Sequence, residues 1–186
     1  MKRAIPVAVA ALVATSAIPA HADDRGFEVG AGLFDSIPTM GDFRDEARSS
    51  LGVTVYGDYT VLKRTDDLFT VGLEAGDAFG YESKENSSVD YLCATAGLRG
   101  RYIKEMDFWS KKGRVYAIAG ISAYRWHTDP ISSLDTTTIG FNFGTGADLK
   151  LSGNWLAGAE FRYHMPNKSG RMAYSLAPAL KVGYTF

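Results

Sequence analysis

Apolar and polar residues alternate along almost the whole chain from Phe27 to Phe186, the period-two pattern of strands with two unlike faces. Phe27, Val29, Ala31 and Leu33 interleave with Glu28, Gly30 and Gly32. Leu51, Val53, Val55, Tyr59 and Val61 alternate with Gly52, Thr54, Tyr56, Asp58 and Thr60. A third segment sets Phe69, Val71, Leu73 and Ala75 against Thr70, Gly72, Glu74 and Gly76. A fourth sets Leu92, Ala94, Ala96, Leu98 and Tyr102 against Cys93, Thr95, Gly97, Arg99 and Arg101. Residues 114–126 form a fifth with less distinct faces, Val115, Ala117, Ala119 and Ile121 lying on one of them. In the sixth, Ile139, Phe141, Phe143, Ala147, Leu149 and Leu151 oppose Asn142, Gly144, Gly146, Asp148 and Lys150. The seventh runs Trp155, Ala157, Ala159, Phe161, Tyr163 and Met165 against Gly158, Glu160, Arg162 and His164. The last runs Met172, Tyr174, Leu176, Leu180, Val182, Tyr184 and Phe186 against Ser175, Ala177, Lys181 and Thr185. The pattern predicts eight strands, an even number, many of about ten residues or more where a globular strand averages about five or six.

The first residues break this pattern and predict export. Met1-Lys2-Arg3 is a short basic start, Pro6 to Pro19 are almost wholly apolar, and Ala20-His21-Ala22 presents small residues at both positions that a signal peptidase reads. Residues 1–22 are therefore expected to be a signal peptide cleaved between Ala22 and Asp23, leaving 23–186 as one domain. The apolar run is too short for a spanning helix, which needs about 20 such residues. Without Lys2 and Arg3 the 20 basic residues fall to 18 against 21 acidic ones, so the mature chain is weakly acidic and offers no nucleic-acid stripe. One cysteine, Cys93, cannot form an internal disulfide.

Eight alternating strands fit two opposite barrels. A soluble, lipocalin-like periplasmic carrier turns its apolar face inward; a membrane barrel turns it to lipid and fills its lumen with polar groups. Four features favour the membrane. The polar face is charge-balanced, with Glu28, Asp58, Glu74, Asp148 and Glu160 against Arg99, Arg101, Lys150, Arg162 and Lys181, as a narrow lumen requires of ions withdrawn from water. It is also rich in small residues. Aromatics gather at strand ends: Phe27, Tyr59, Phe69, Tyr102, Trp155 and Tyr184 on one rim, and Phe79, Tyr91, Phe141, Tyr163 and Tyr174 towards the other. Short turns at residues 63–67 and 152–154 and a somewhat longer 104–112 connection face longer polar loops at roughly 35–48 and 127–136, the asymmetry of outer-membrane barrels. The predicted fold is all-β: an eight-stranded antiparallel up-and-down transmembrane barrel.

The C-terminus carries a family resemblance. Leu180-Lys181-Val182-Gly183-Tyr184-Thr185-Phe186 resembles the terminal strand of bacterial outer-membrane barrels, and Gly153 to Tyr163, with Gly158-Ala159-Glu160-Phe161-Arg162-Tyr163, is similar to the penultimate strand of the OmpA/OmpX-like barrel domain. The resemblance covers the mature chain in topology and only about the last 35 residues in motif. It implies a bacterial outer-membrane location, chaperoned passage through the periplasm, and insertion by the assembly machinery with Tyr184 and Phe186 as its signal. The expected surroundings are outer-membrane lipid and lipopolysaccharide. The expected state is a monomer without a tethering domain after Phe186.

Little chemistry is legible. His127, His164 and Cys93 have no metal-ligand spacing, and Gly30-x-Gly32 and Gly144-x-Gly146 open no helix, so no metal or cofactor is expected. The penultimate strand also invites comparison with lipid A 3-O-deacylases, which carry His-x-Ser-Asn near its outer end. Here His164 is followed two residues later by Pro166, which has no nucleophile, and Ser169 is displaced into the loop. The expected function is therefore non-catalytic: a structural or surface-interaction barrel whose loops are the surface left for a ligand, with a lumen too full for an open pore. The lipid A ester hydrolase using His164 is the alternative, with a narrow porin or a soluble carrier behind it. Phe108 and Trp109 are expected at the inner membrane interface.

Overall fold

The computed structural model describes residues 26–40, 44–45, 47–84, 90–108, 110–129, 135–168 and 171–186. Its long strands are β1 (Phe27–Met40), β2 (Ser50–Arg64), β3 (Asp67–Glu82), β4 (Asp90–Phe108), β5 (Lys111–Asp129), β6 (Thr136–Lys150), β7 (Trp155–Lys168) and β9 (Tyr174–Thr185). A two-residue β8 (Arg171–Met172) pairs with the end of β7, and Ala173 then donates its N–H to the Pro166 carbonyl at 3.0 Å before β9 begins. Each long strand is antiparallel to its neighbours. The order runs β6-β5-β4-β3-β2-β1-β9-β7, and a β6–β7 ladder closes the ring. Closure satisfies every edge, which lipid cannot do.

The register sets the shape. Paired residues lead around the wall from Glu28 through Asp58, Gly72, Arg99, Gly120, Asn142, His164 and Ser175, and return to β1 at Pro38. The circuit therefore climbs from position 28 to position 38 of one strand. With ordinary strand spacing this stagger tilts the strands by about 40° to the barrel axis.

Hydrophobicity is inverted relative to a water-soluble domain. Leu180 is 72% exposed and Leu51 70%, with Leu33, Leu73, Leu98 and Ile139 similarly open, while Arg101 is fully buried and Asp58 nearly so. The outward residues form an apolar belt and the inward ones a polar interior, the arrangement of a membrane barrel. Aromatic contacts mark both ends of the belt. Trp155 and Tyr184 ring centroids lie 5.2 Å apart, Tyr184 and Phe186 4.9 Å, and Phe27 and Phe186 6.2 Å; at the other end Tyr163 meets Phe143 at 5.7 Å and Tyr174 at 5.8 Å.

Several strands run past the ends that hydropathy predicts. Residues 35–40 continue β1 instead of opening the loop, with Ser36 buried inward and Ile37 outward. The 104–112 connection is mostly ladder, paired as far as Phe108 with Lys111. Beyond the aromatic rims water reaches both faces, so alternation fades while backbone pairing persists. The tight turn at 152–154 forms as its composition predicts, with Gly153 at φ 60° and Trp155 N–H donating to the Ser152 carbonyl at 3.2 Å.

Candidate functional site

The lumen is filled by one network of charges. Asp58 on β2 accepts from Arg99 on β4 twice, Oδ1 from Nε at 2.8 Å and Oδ2 from Nη2 at 2.5 Å, and its Oδ2 also lies 2.5 Å from Arg101 Nη2. Glu28 on β1 lies 3.1 Å from Arg101 and 2.6 Å from Arg114. Arg114 reaches Asp148 at 2.7 Å through Nη2 and 2.9 Å through Nε. Glu74 is bound by Arg162 and lies 3.6 Å from Arg99. Glu160 accepts from Arg162 at 2.5 Å and from Lys181 at 3.0 Å. Five carboxylates thus meet five cations, all of them buried. Ions in such a place are tolerated only when paired and hydrogen-bonded.

Two tyrosines brace the network. Tyr56 donates to Glu28 at 3.1 Å and Tyr116 to Glu160 at 3.0 Å. The Arg99 guanidinium lies 3.9 Å over the Tyr56 ring, and Lys181 Nζ 4.5 Å over that of Tyr116, cation–π contacts that add to the ion pairs. Both rings need a missing side chain opposite. A Cβ on Gly30 would lie 2.3 Å from the Tyr56 ring, and one on Gly146 would lie 2.3 Å from the Tyr116 hydroxyl.

Nine of the ten lumen charges expected from sequence are buried here: Glu28, Asp58, Glu74, Arg99, Arg101, Asp148, Glu160, Arg162 and Lys181. Lys150 is the correction. It keeps the inward parity of β6 but lies beyond Asp148, exposed at the inner mouth, and meets no carboxylate among the described residues. Its place in the network belongs to Arg114, paired in register with Asp148 on the neighbouring strand. Arg114 escapes sequence reading because the inward positions that follow it, Tyr116 and Ile118, are as apolar as their outward neighbours. The inward parity of β5, carried back from Gly120 and Ser122, is the signal that would have found it.

Spaces lie above and below the network. Towards the longer loops is a cavity of about 50 Å³, with Phe34, Tyr81, Cys93 and Trp126 on its walls and Arg162, His164 and Ser175 among its polar groups. Ala47 is buried in the aromatic cluster above it, and a bridge from Ala47 to Ser83, the Arg48–Glu82 pair at 3.2 Å and a 2.5 Å bond from Lys84 Nζ to the Arg44 carbonyl tie this loop to the end of β3. Below is a wider mouth of about 620 Å³ lined by Leu68, Ile103, Leu156, Glu105, Asp107 and Lys150, among others.

His164 faces this interior. Its Nδ1 lies 2.9 Å from the Tyr124 hydroxyl, and the two rings meet edge to face at 5.9 Å. Pro166, two residues on, is buried. Ser169, the displaced nucleophile of the hydrolase reading, lies outside the described residues, as do Ala22, Asp23, Trp109 and the rest of residues 1–22. No group of three or more metal-ligand side chains exists among the described residues. Tyr184 and Phe186 meet edge to face at the inner rim, where the Phe186 N–H donates to the Phe27 carbonyl at 2.8 Å.

Known proteins agree with this architecture. The family described as outer membrane protein beta-barrel domain matches residues 7–186. Among solved structures, the chain is similar to the outer-membrane protein OprG of Pseudomonas aeruginosa (12% identity, 87% of this chain and 95% of that one, TM-score 0.58). It is also similar to Neisserial surface protein A (18%, 88% and 98%, 0.56) and to Ail, the attachment invasion locus protein of Yersinia pestis, in complex with the heparin analogue sucrose octasulfate (12%, 87% and 97%, 0.55). No curated protein matches the chain. At these identities the likeness is one of fold.

Proposed function

The chain belongs to the outer membrane protein β-barrel domain family, a small barrel of the bacterial outer membrane, and from that premise we propose that it is a non-catalytic structural or surface-interaction protein with a closed lumen. The observation that carries this reading is the charge network: five carboxylates and five cations span the bore, and an eight-stranded barrel has room for little beyond its own side chains. A solute crossing it would have to break several buried pairs at once.

In this reading the precursor is cut between Ala22 and Asp23, and the assembly machinery and periplasmic chaperones receive a chain whose last strand ends on Tyr184 and Phe186. It sits among lipid and lipopolysaccharide as a monomer and meets any surface ligand through its loops. The hydrolase alternative is disfavoured by the orientation of His164, held by Tyr124 inside the wall while lipid lies outside it. Osmotic swelling of proteoliposomes tests closure. Vesicles carrying the protein are expected to swell in a small sugar no faster than empty ones; porin-like swelling would refute the closed lumen.

A further inference from the structure

The β4–β5 hairpin reaches beyond the inner aromatic rim, and its two faces differ in charge. On the mouth side are Glu105 and Asp107, with Lys112 3.0 Å from Asp107 and Asp66 of the neighbouring β2–β3 turn beside them. On the outward side the parity of Leu98, Gly100 and Tyr102 continues to Lys104. Lys104 pairs in register with Asp67, and Asp67 with Arg64, so Arg64, Asp67 and Lys104 form one row across three strands. Lys111 lies beside Phe108, four pairs further along the hairpin than Lys104. Arg64, Lys104 and Lys111 are all exposed, and among the described residues none makes an ion pair or hydrogen bond. The one acid in the row, Asp67, accepts a hydrogen bond from Tyr102 at 2.8 Å.

The level of this patch matters. Tyr102 and Phe69 are paired in register at the inner end of the apolar belt. With the strand tilt given above, Lys104 lies about 5 Å beyond Tyr102, and Arg64 and Lys111 roughly 6–7 Å further. Lipid headgroups occupy about 5–7 Å beyond the hydrocarbon, and long cationic side chains bend back towards them. The opposite wall meets the same interface with Phe27, Trp155, Tyr184 and Phe186 and has no outward cation among the described residues.

We propose that Arg64, Lys104 and Lys111 form a headgroup site for an anionic phospholipid of the inner leaflet, with its phosphate against the cations and its chains along Phe69 and Tyr102. Three cations facing one engaged acid suit a net-negative headgroup, whereas a zwitterionic one offers no net charge to match. The site goes beyond the closed-lumen reading and stands independently of it.

Native mass spectrometry of the full-length barrel, released from detergent with equal phosphatidylglycerol and phosphatidylethanolamine, tests this. The wild type is expected to retain more phosphatidylglycerol, and R64Q, K104Q and K111Q each to lower that retention roughly fivefold without changing phosphatidylethanolamine. The mouth-side pair E105Q/D107N keeps the preference. Equal retention of both lipids by the wild type would overturn the site, as would an unchanged preference in the triple variant. Binding of soluble glycerol phosphate without a preference between the lipids would also overturn it. Heat-modifiable gel migration reports folding; if the triple variant does not fold, K104Q alone decides, a reduced preference supporting the site and an unchanged one refuting it.

Discussion

Lys181 on β9 donates from Nζ to Oε2 of Glu160 on the neighbouring strand β7 at 3.0 Å, with both side chains buried. Glu160 also holds Arg162 and the Tyr116 hydroxyl, so it joins three partners. Removing it leaves the Lys181 ammonium buried without its carboxylate.

Glu160→Leu is therefore expected to destabilise the barrel by about 3–5 kcal/mol, the usual cost of breaking a buried pair from one side. Glu160→Leu combined with Lys181→Met, which restores the balance of charge, is expected to cost less than Glu160→Leu alone. Urea unfolding in lipid vesicles measures both. An unchanged midpoint for the single variant would contradict the pairing, and additive losses would contradict the coupling.

Gly30 gives a steric test. A Cβ there meets the Tyr56 ring at 2.3 Å, whereas one on outward Gly100 meets only ordinary contacts, the nearest at 3.6 Å. Gly30→Ala is expected to lower stability by about 1–3 kcal/mol through overpacking, while Gly100→Ala stays near neutral. The same unfolding assay compares them, and equal effects would mean that the lumen has slack the geometry denies.

Arg114 and Lys150 separate network from mouth. Arg114→Gln breaks contacts to both Glu28 and Asp148 and is expected to cost about 3–5 kcal/mol. Lys150→Gln, at an exposed position without a carboxylate partner among the described residues, is expected to change stability by less than about 0.5 kcal/mol. Thermal unfolding followed by gel mobility tells them apart; a larger loss for Lys150→Gln would reverse the assignment.

These residues also show where sequence reading succeeds and stops. Period-two alternation suffices to find the strands because one face must be apolar and the other must not, as Leu33 beside Gly32 or Leu180 beside Lys181 illustrates. It fails where that contrast disappears. Tyr116 and Ile118 face inward among apolar neighbours and conceal Arg114. Lys104 and Lys111 stand past the belt, where both faces are wet, so their ladder reads as a loop. Parity assigns a face but no height, and height is what leaves Lys150 outside the network. Which acid holds which base depends on the ten-residue stagger, a closure property that no single segment contains.

His164 tests the non-catalytic reading. His164→Asn removes the imidazole that lies 2.9 Å from the Tyr124 hydroxyl. Lipid A extracted from cells making this variant is expected to carry the same acyl chains as lipid A from cells making the wild type, and both to match cells without the protein. Mass spectrometry of lipid A checks this, and loss of an ester-linked chain only with the wild-type protein would restore the hydrolase.

Single-channel recording in planar bilayers addresses the closed lumen most directly. The wild-type barrel is expected to show no steady conductance. Glu74→Ala with Glu160→Ala, which removes both carboxylates around Arg162, is expected to introduce openings in a protein that still shows heat-modifiable migration. A large, stable conductance from the wild type, unchanged by these substitutions, would contradict the account.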